Sequence, residues 1–229
     1  MIASEVPSMT TQPLLHTLPL FPLGTVLFPG GLLPLRIFEV RYLDMIGKCH
    51  RQGVPFGVVS VTQGTEVRRP GGPIGGAESF SPVGTLAAIR EFDAPQPGLM
   101  HVECVGTQRF RIVSSELQKH GLWTADVEAI PDDMALAIPE DLQHVADALR
   151  RLIDTLDARR RAEGGDDADG LQLPFVTPYR LNDCAWVANR WSELLPLEPA
   201  LKQRLMELDS PLMRLELVSD LLGRNGIAG

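Results

Sequence analysis

Residues 18–42 read LPLFPLGTVLFPGGLLPLRIFEVRY, and the fold turns on what this stretch becomes. No Lys, Arg, Asp or Glu occurs between Val6 and Leu35, a run longer than the roughly 20 apolar residues that a membrane-spanning helix needs. Proline rules that helix out. Pro19, Pro22, Pro29 and Pro34, with Gly24, Gly30 and Gly31, would each remove or weaken backbone hydrogen bonds that lipid cannot replace. A secretory leader fits no better, because Glu5 is the sole charge before Arg36 and no basic segment precedes an apolar core. The stretch therefore predicts two short strands, residues 18–23 and 32–37, joined by a turn on Pro29-Gly30-Gly31 and leading into a helix near residues 39–52.

Outward from that segment the chain divides into two unlike halves. Residues 1–130 hold 11 acidic and 10 basic side chains, and residues 131–229 hold 18 and 11, so nearly all of the net charge of −8 lies in the second half. The first half alternates. Met100, Val102 and Cys104 face one way and His101, Glu103 and Val105 the other; Phe110 and Ile112 alternate with Arg109 and Arg111; Trp123, Ala125, Val127 and Ala129 alternate with Thr124, Asp126 and Glu128. With residues 54–62 and 83–92 this makes about seven short strands and one inserted helix, a set that hides its edges most economically by curling into a barrel or sandwich.

The second half has helical periodicity. Leu142, Val145, Ala146, Leu149, Ile153 and Leu156 fall on one stripe, and Gly164-Gly165-Asp166-Asp167 ends it in an exposed loop. Asn182 reads as the cap of a helix running to Leu194, while Glu198-Pro199 and Ser210-Pro211 place proline at the first helical position, where its missing donor costs nothing. Gly223 closes the last helix. The predicted organisation is a tail over residues 1–13, a β unit over 14–131 and a helical subdomain over 132–229.

Leu18, Pro19, Phe21, Pro22 and Leu23, then Val26, Phe28, Pro29 and Gly30, then Leu33 to Leu35, and Ile37 to Tyr42 follow the order of an LP-x-FPL, V-x-FPG, LPL, IFE-x-RY series. That series resembles the opening of the Lon substrate-binding domain family. GTLAAIREF (84–92), VECVGTQRFRI (102–112) and ADVEAI (125–130) are similar to its later strands, and residues 181–222 to its helical tail. The resemblance spans roughly residues 14–223. It implies an α+β fold, a small PUA-like β-barrel with one inserted helix followed by a C-terminal α-helical bundle, as in the stand-alone Lon N-domain-like proteins of bacteria.

The chemistry that accompanies this domain in Lon has no counterpart in these residues. The glycine-rich segment Gly71-Gly72-Pro73-Ile74-Gly75-Gly76 is followed by Ala77 and Glu78, where a phosphate loop requires Lys and Ser or Thr. Together with Arg68, Arg69 and Phe80 it reads as a mobile hairpin tip. The three lysines, Lys48, Lys119 and Lys202, lie outside any peptidase-like segment, and there is no G-x-S-x-G elbow. Cys49, Cys104 and Cys184 are widely spaced among apolar neighbours, as reduced thiols of a cytoplasmic protein are, and their nearest histidines offer no metal-ligand spacing. Glu39, Arg41 and Tyr42 read as a helix start tied to the sheet rather than as an acid–base set. No catalytic residue, metal or cofactor is expected.

Two binding functions compete. The family resemblance implies recognition of unfolded polypeptide or a partner protein without chemistry, and Phe28, Pro29 and Leu32, beside the turn, are the candidate apolar rim. PUA-like barrels elsewhere bind RNA, yet nucleic-acid affinity rests on Lys and Arg neutralising phosphates, and this chain is acidic. Arg109 and Arg111 read as the solvent face of a strand, and Arg159-Arg160-Arg161 as a helix end complementing the dipole. A hydrolase with scattered Ser, His and Asp residues is the least supported alternative.

Overall fold

The computed structural model describes residues 14–63, 79–162 and 175–227. The fold is mixed α+β. Strands β1 (Leu14–Leu23) and β2 (Leu32–Ile37) are followed by helix α1 (Val40–Gln52), then β3 (Phe56–Gln63), β4 (Ser79–Gln96), β5 (Leu99–Leu117) and β6 (Trp123–Ala129). A short 3-10 turn (Glu140–Leu142) leads into α2 (Gln143–Ala162), α3 (Cys184–Leu194), α4 (Pro199–Glu207) and α5 (Pro211–Arg224).

The six strands pair in the order β2-β5-β4-β3-β1-β6, and β6 also pairs with β5. The run β5-β4-β3-β1-β6 thus returns to the strand where it began. The length of β5 makes this possible: its first part, around residues 100–105, is shared by β2 and β4, and its last part, residues 110–117, is taken by β6. The two alternating segments expected as separate strands around residues 102 and 110 are this one strand, which is why the described residues form six strands where seven were expected. The turn at Pro29 to Gly31 does not make a hairpin either. β2 pairs with β5, whereas β1 pairs with β3 in parallel and with β6 antiparallel.

Apolar alternation puts Leu18, Leu20, Val59, Leu86, Phe110, Ala125 and Val127 into one cluster among the strands. A second cluster gathers Phe21, Leu23, Leu33, Ile37, Phe56 and Val102 beneath Tyr42, Met45, Ile46 and Cys49 of α1. The helix is tied down as its sequence suggests. Arg41 donates from Nη1 to the Gly121 carbonyl at 2.8 Å and from Nε to Glu39 at 3.0 Å, and Tyr42 stacks on Phe21 with ring centroids 4.0 Å apart. Gly53, at φ +63°, supplies the left-handed residue that ends α1.

The C-terminal helices share their own cluster, centred on Val145, Leu149, Trp186, Val187, Trp191, Leu215 and Val218. Asp183, one residue after the expected cap, accepts from the Trp186 amide at the start of α3, and Ser210 does the same for Met213 at the start of α5. A fourth cluster, Val26, Phe28, Val83, Leu205 and Met206, joins the sheet to α4.

Candidate functional site

The apolar rim expected at Phe28, Pro29 and Leu32 is not a rim. Phe28 is completely buried at 0% exposure, packed between the sheet and α4, while Pro29 and Leu32 are half-buried. The reason is a polar anchor that hydropathy does not reveal. Arg190 of α3, itself fully buried, donates from Nη1 to the Gly30 carbonyl and from Nη2 to the Pro29 carbonyl at 2.9 Å. Glu193 balances its charge, with Nε–Oε2 at 2.8 Å. Gly30, at φ +77°, turns these carbonyls toward the guanidinium, and Gly106 passes so close that a Cβ there would collide with the Phe28 carbonyl oxygen. The turn is pinned to α3, with Phe28 inside the molecule and Pro29 and Leu32 at its edge.

Of the expected mobile tip, Arg68 and Arg69 lie outside the described residues. Phe80 belongs to β4, pairs with Val61 and meets Trp123 edge to face at 5.3 Å, so it is half-buried packing rather than tip.

Arg109, expected on the solvent face of β5, is instead 4% exposed. It donates from Nη1 to the Met206 and Leu208 carbonyls at 2.9 and 3.1 Å and from Nη2 to Asp133 at 3.0 Å. Arg214 of α5, 1% exposed, reaches the same carboxylate at 2.6 Å and also donates to Asn189 and to the Leu205 and Leu208 carbonyls. Burial lowers the Arg109 pKa, and the negative charge of Asp133 does most to oppose that fall. Two buried guanidiniums on one carboxylate need such a network, because an unpaired buried charge is strongly destabilising.

Asp133 lies in the segment that connects β6 to the helices, and its anchoring has an outward consequence. Downstream, the Cys184 amide donates to the Leu136 carbonyl at 2.9 Å and Ala137 bridges to Asp183. Upstream, the Ile130 amide donates to the Arg109 carbonyl at 2.9 Å. The strap over residues 130–137 is therefore fixed at both ends and in the middle. Met134 stands out of it at 80% exposure and Leu136 at 40%.

These two residues border a cleft of about 1060 Å³, whose walls include Ile130, Pro131 and Pro211 and whose polar margin includes Asp132 and Asp209. A smaller, polar recess of about 400 Å³ adjoins it across Arg109, Asp132 and Asp133 and extends to Arg180 and Asp183. The junction of sheet and helices thus presents a cleft of mixed apolar and charged lining beside a smaller polar recess. The strap's sequence, PDDMALAI, follows two aspartates with an apolar run but carries no motif that marks it as a surface. Among the described residues no three His, Cys, Asp or Glu side chains gather as metal ligands would, and the three cysteines are free and buried.

Residues 17–224 match the family described as the ATP-dependent protease La (LON) substrate-binding domain. The chain belongs to this family. Its sequence is 26% identical over 201 residues to the Lon protease of Paraburkholderia phytofirmans, a match that takes in 86% of this chain and 23% of the protease. The chain thus spans about a quarter of the length of that relative. Among solved structures, the Lon N-terminal domain protein from Xanthomonas campestris is similar at 29% identity with a TM-score of 0.67, covering 90% of this chain and 98% of that one. The N-terminal domain of a Mycobacterium avium complex Lon protease shares the fold at 16% identity, TM-score 0.55, over 89% and 96% of the two chains. Membership covers the strands, the connecting strap and the helices alike.

Proposed function

We propose that this Lon substrate-binding domain is a non-catalytic polypeptide-binding module, that its strands form the PUA-like barrel with the helices as a packed subdomain, and that its client site is the cleft bordered by Met134 and Leu136. The observation that carries the reading is the strap: apolar side chains held out to solvent on backbone fixed by Asp133, Leu136 and Ala137. An ordered apolar surface loses little conformational freedom on binding. Methionine adapts to varied partners through its unbranched, polarisable side chain, which suits a surface that meets many sequences. The mixture of apolar and polar groups lining the cleft suits an extended chain, whose backbone needs hydrogen bonds and whose side chains need burial.

The nucleic-acid alternative gains no support at this cleft, where Asp132, Asp209 and Glu128 are exposed and only Arg111, cross-strand from Glu128, offers an exposed cation on its wall. Free buried thiols support a reducing, cytoplasmic setting. No helix among the described residues is long and apolar enough to cross a membrane.

The experiment is retention of a chemically unfolded client by the purified chain, compared with Met134→Asp combined with Leu136→Ser. The double variant is expected to keep its thermal midpoint and lose retention. A folded double variant that retains clients as well as the parent would move the site elsewhere.

A further inference from the structure

The cleft is not electrically neutral toward solvent, and its charges differ in how they are held. Arg109, on its wall, and Arg214, which shares Asp133 with it, are buried and committed to Asp133 and to backbone carbonyls. Arg111 lies directly across the ladder from Glu128, so those two exposed charges offset one another. Two exposed carboxylates remain on the margin, and although both also act on the buried Arg109, neither is enclosed with it. Asp132 is exposed, and Asp209 is 88% exposed although it comes within 3.8 Å of Arg109. Both line the same cleft as Met134 and Leu136, Asp132 from the strap and Asp209 from the residue before the Ser210 cap of α5. The chain as a whole carries a net charge of −8, which attracts cationic ligands at a distance.

We propose that the cleft selects polypeptide segments in which apolar residues are flanked by lysine or arginine. This rests on the reading of the cleft as the client site and adds the sequence class of the client. The apolar residue packs on Met134 and Leu136 and the flanking cations meet Asp132 and Asp209. Complementarity between two exposed carboxylates and two cations contributes modestly per pair, enough for a preference of about tenfold at low salt that declines as ionic strength rises.

The test uses the full chain and three fluorescent peptides with one apolar core, flanked by Lys, by Ser or by Glu, with binding followed by anisotropy at low and high salt. The expected order is Lys over Ser over Glu, with the gap closing at high salt, closing in Asp132→Asn combined with Asp209→Asn, and binding of all three falling in Met134→Ser. Both aspartates are exposed, so the double variant is expected to fold as the parent does. Equal binding of all three peptides overturns the selectivity and leaves the cleft as client site. A preference that survives the aspartate substitutions overturns the assignment to Asp132 and Asp209. Lys-flanked binding untouched by Met134→Ser shows attraction to the acidic surface without the apolar contact and also overturns it. Binding of none of the peptides overturns the client-site reading itself.

Discussion

Two short segments of this chain, the turn at residues 28–32 and the strap at residues 130–137, exchange the roles that their sequences advertise. The turn is apolar, rich in proline and glycine, and placed between strands, as an exposed rim would be; its Phe28 is buried and Pro29 and Leu32 are half-buried because Arg190, far along the chain in α3, takes the Pro29 and Gly30 carbonyls. The strap pairs two aspartates with an apolar run, which would be expected to put the aspartates in water and the apolar residues inside; it presents Met134 because Arg109 and Arg214 pull its neighbour Asp133 inward. In both cases a buried arginine decides which side chains reach water. Hydropathy reads the side chains of a segment, whereas the decision here is made by its carbonyls and one carboxylate.

The largest effect is expected when a charge is placed in the turn as if it were surface. Phe28→Asp removes a fully buried aromatic, a loss of about 3–5 kcal/mol even before the charge is counted, and leaves an unpaired carboxylate in the seam between sheet and helices. The chain is expected to be unfolded, with loss of near-ultraviolet circular dichroism and of a cooperative melting transition. A folded Phe28→Asp protein would show that the turn can be released.

Arg190→Ala tests the anchor itself. It strands Glu193 and leaves the Pro29 and Gly30 carbonyls without their donor, and breaking a buried pair costs about 3–5 kcal/mol. The denaturation midpoint is expected to fall accordingly at unchanged m-value. Arg190→Met, which fills much of the same space, should not rescue it, because the missing element is a donor.

A smaller effect is read against pH. Burial pushes the Glu193 carboxyl from an ordinary 4.5 up to about 7, against the pull of Arg190 and Lys202. The folded protein therefore holds this proton more tightly than the unfolded chain. As pH rises from about 4.5 to about 7 the unfolded chain releases it first, so stability falls across this window, by at most about 1.4 kcal/mol per pH unit. Glu193→Gln is expected to flatten that slope in denaturation curves taken across the window. An unchanged slope would assign it to other groups.

How much of this was legible follows the same division. The alternation of Met100, Val102 and Cys104 with His101 and Glu103 marked a strand correctly, because a sheet with one buried face leaves that signature. Ser210-Pro211 marked the start of α5, a local effect of capping and proline geometry. Arg41 and Tyr42 were legible as ties for α1. Returning the strand run on itself was within reach, but the continuity of β5 was not, since residues 106–108 interrupt the apolar alternation without interrupting the strand. The site was not legible. Arg109 alternates with Phe110 as a solvent-facing residue would, and its burial depends on helix carbonyls nearly 100 residues away, at Met206 and Leu208.

The smallest expected effects separate the strap from apolar exposure in general. Phe38, at 56% exposed, and Met134, at 80%, are both large apolar side chains in water, and substitution of either is expected to change stability by no more than about 0.5 kcal/mol. Their surroundings differ. Phe38 follows the end of β2, whose ladder runs along β5 and carries Pro34 in its middle, a residue that blunts a strand edge against pairing by another chain. Met134 sits on backbone fixed through Asp133 and beside a cleft of about 1060 Å³. Phe38→Ser is therefore expected to leave both the melting temperature and client affinity as they are. Met134→Asp should leave the melting temperature as it is while weakening retention of an unfolded client. Equal losses of affinity in the two variants would mean that exposed apolar area alone governs binding and that the anchored strap confers nothing. A loss confined to Met134 would tie recognition to the side chain that two buried arginines hold in the open.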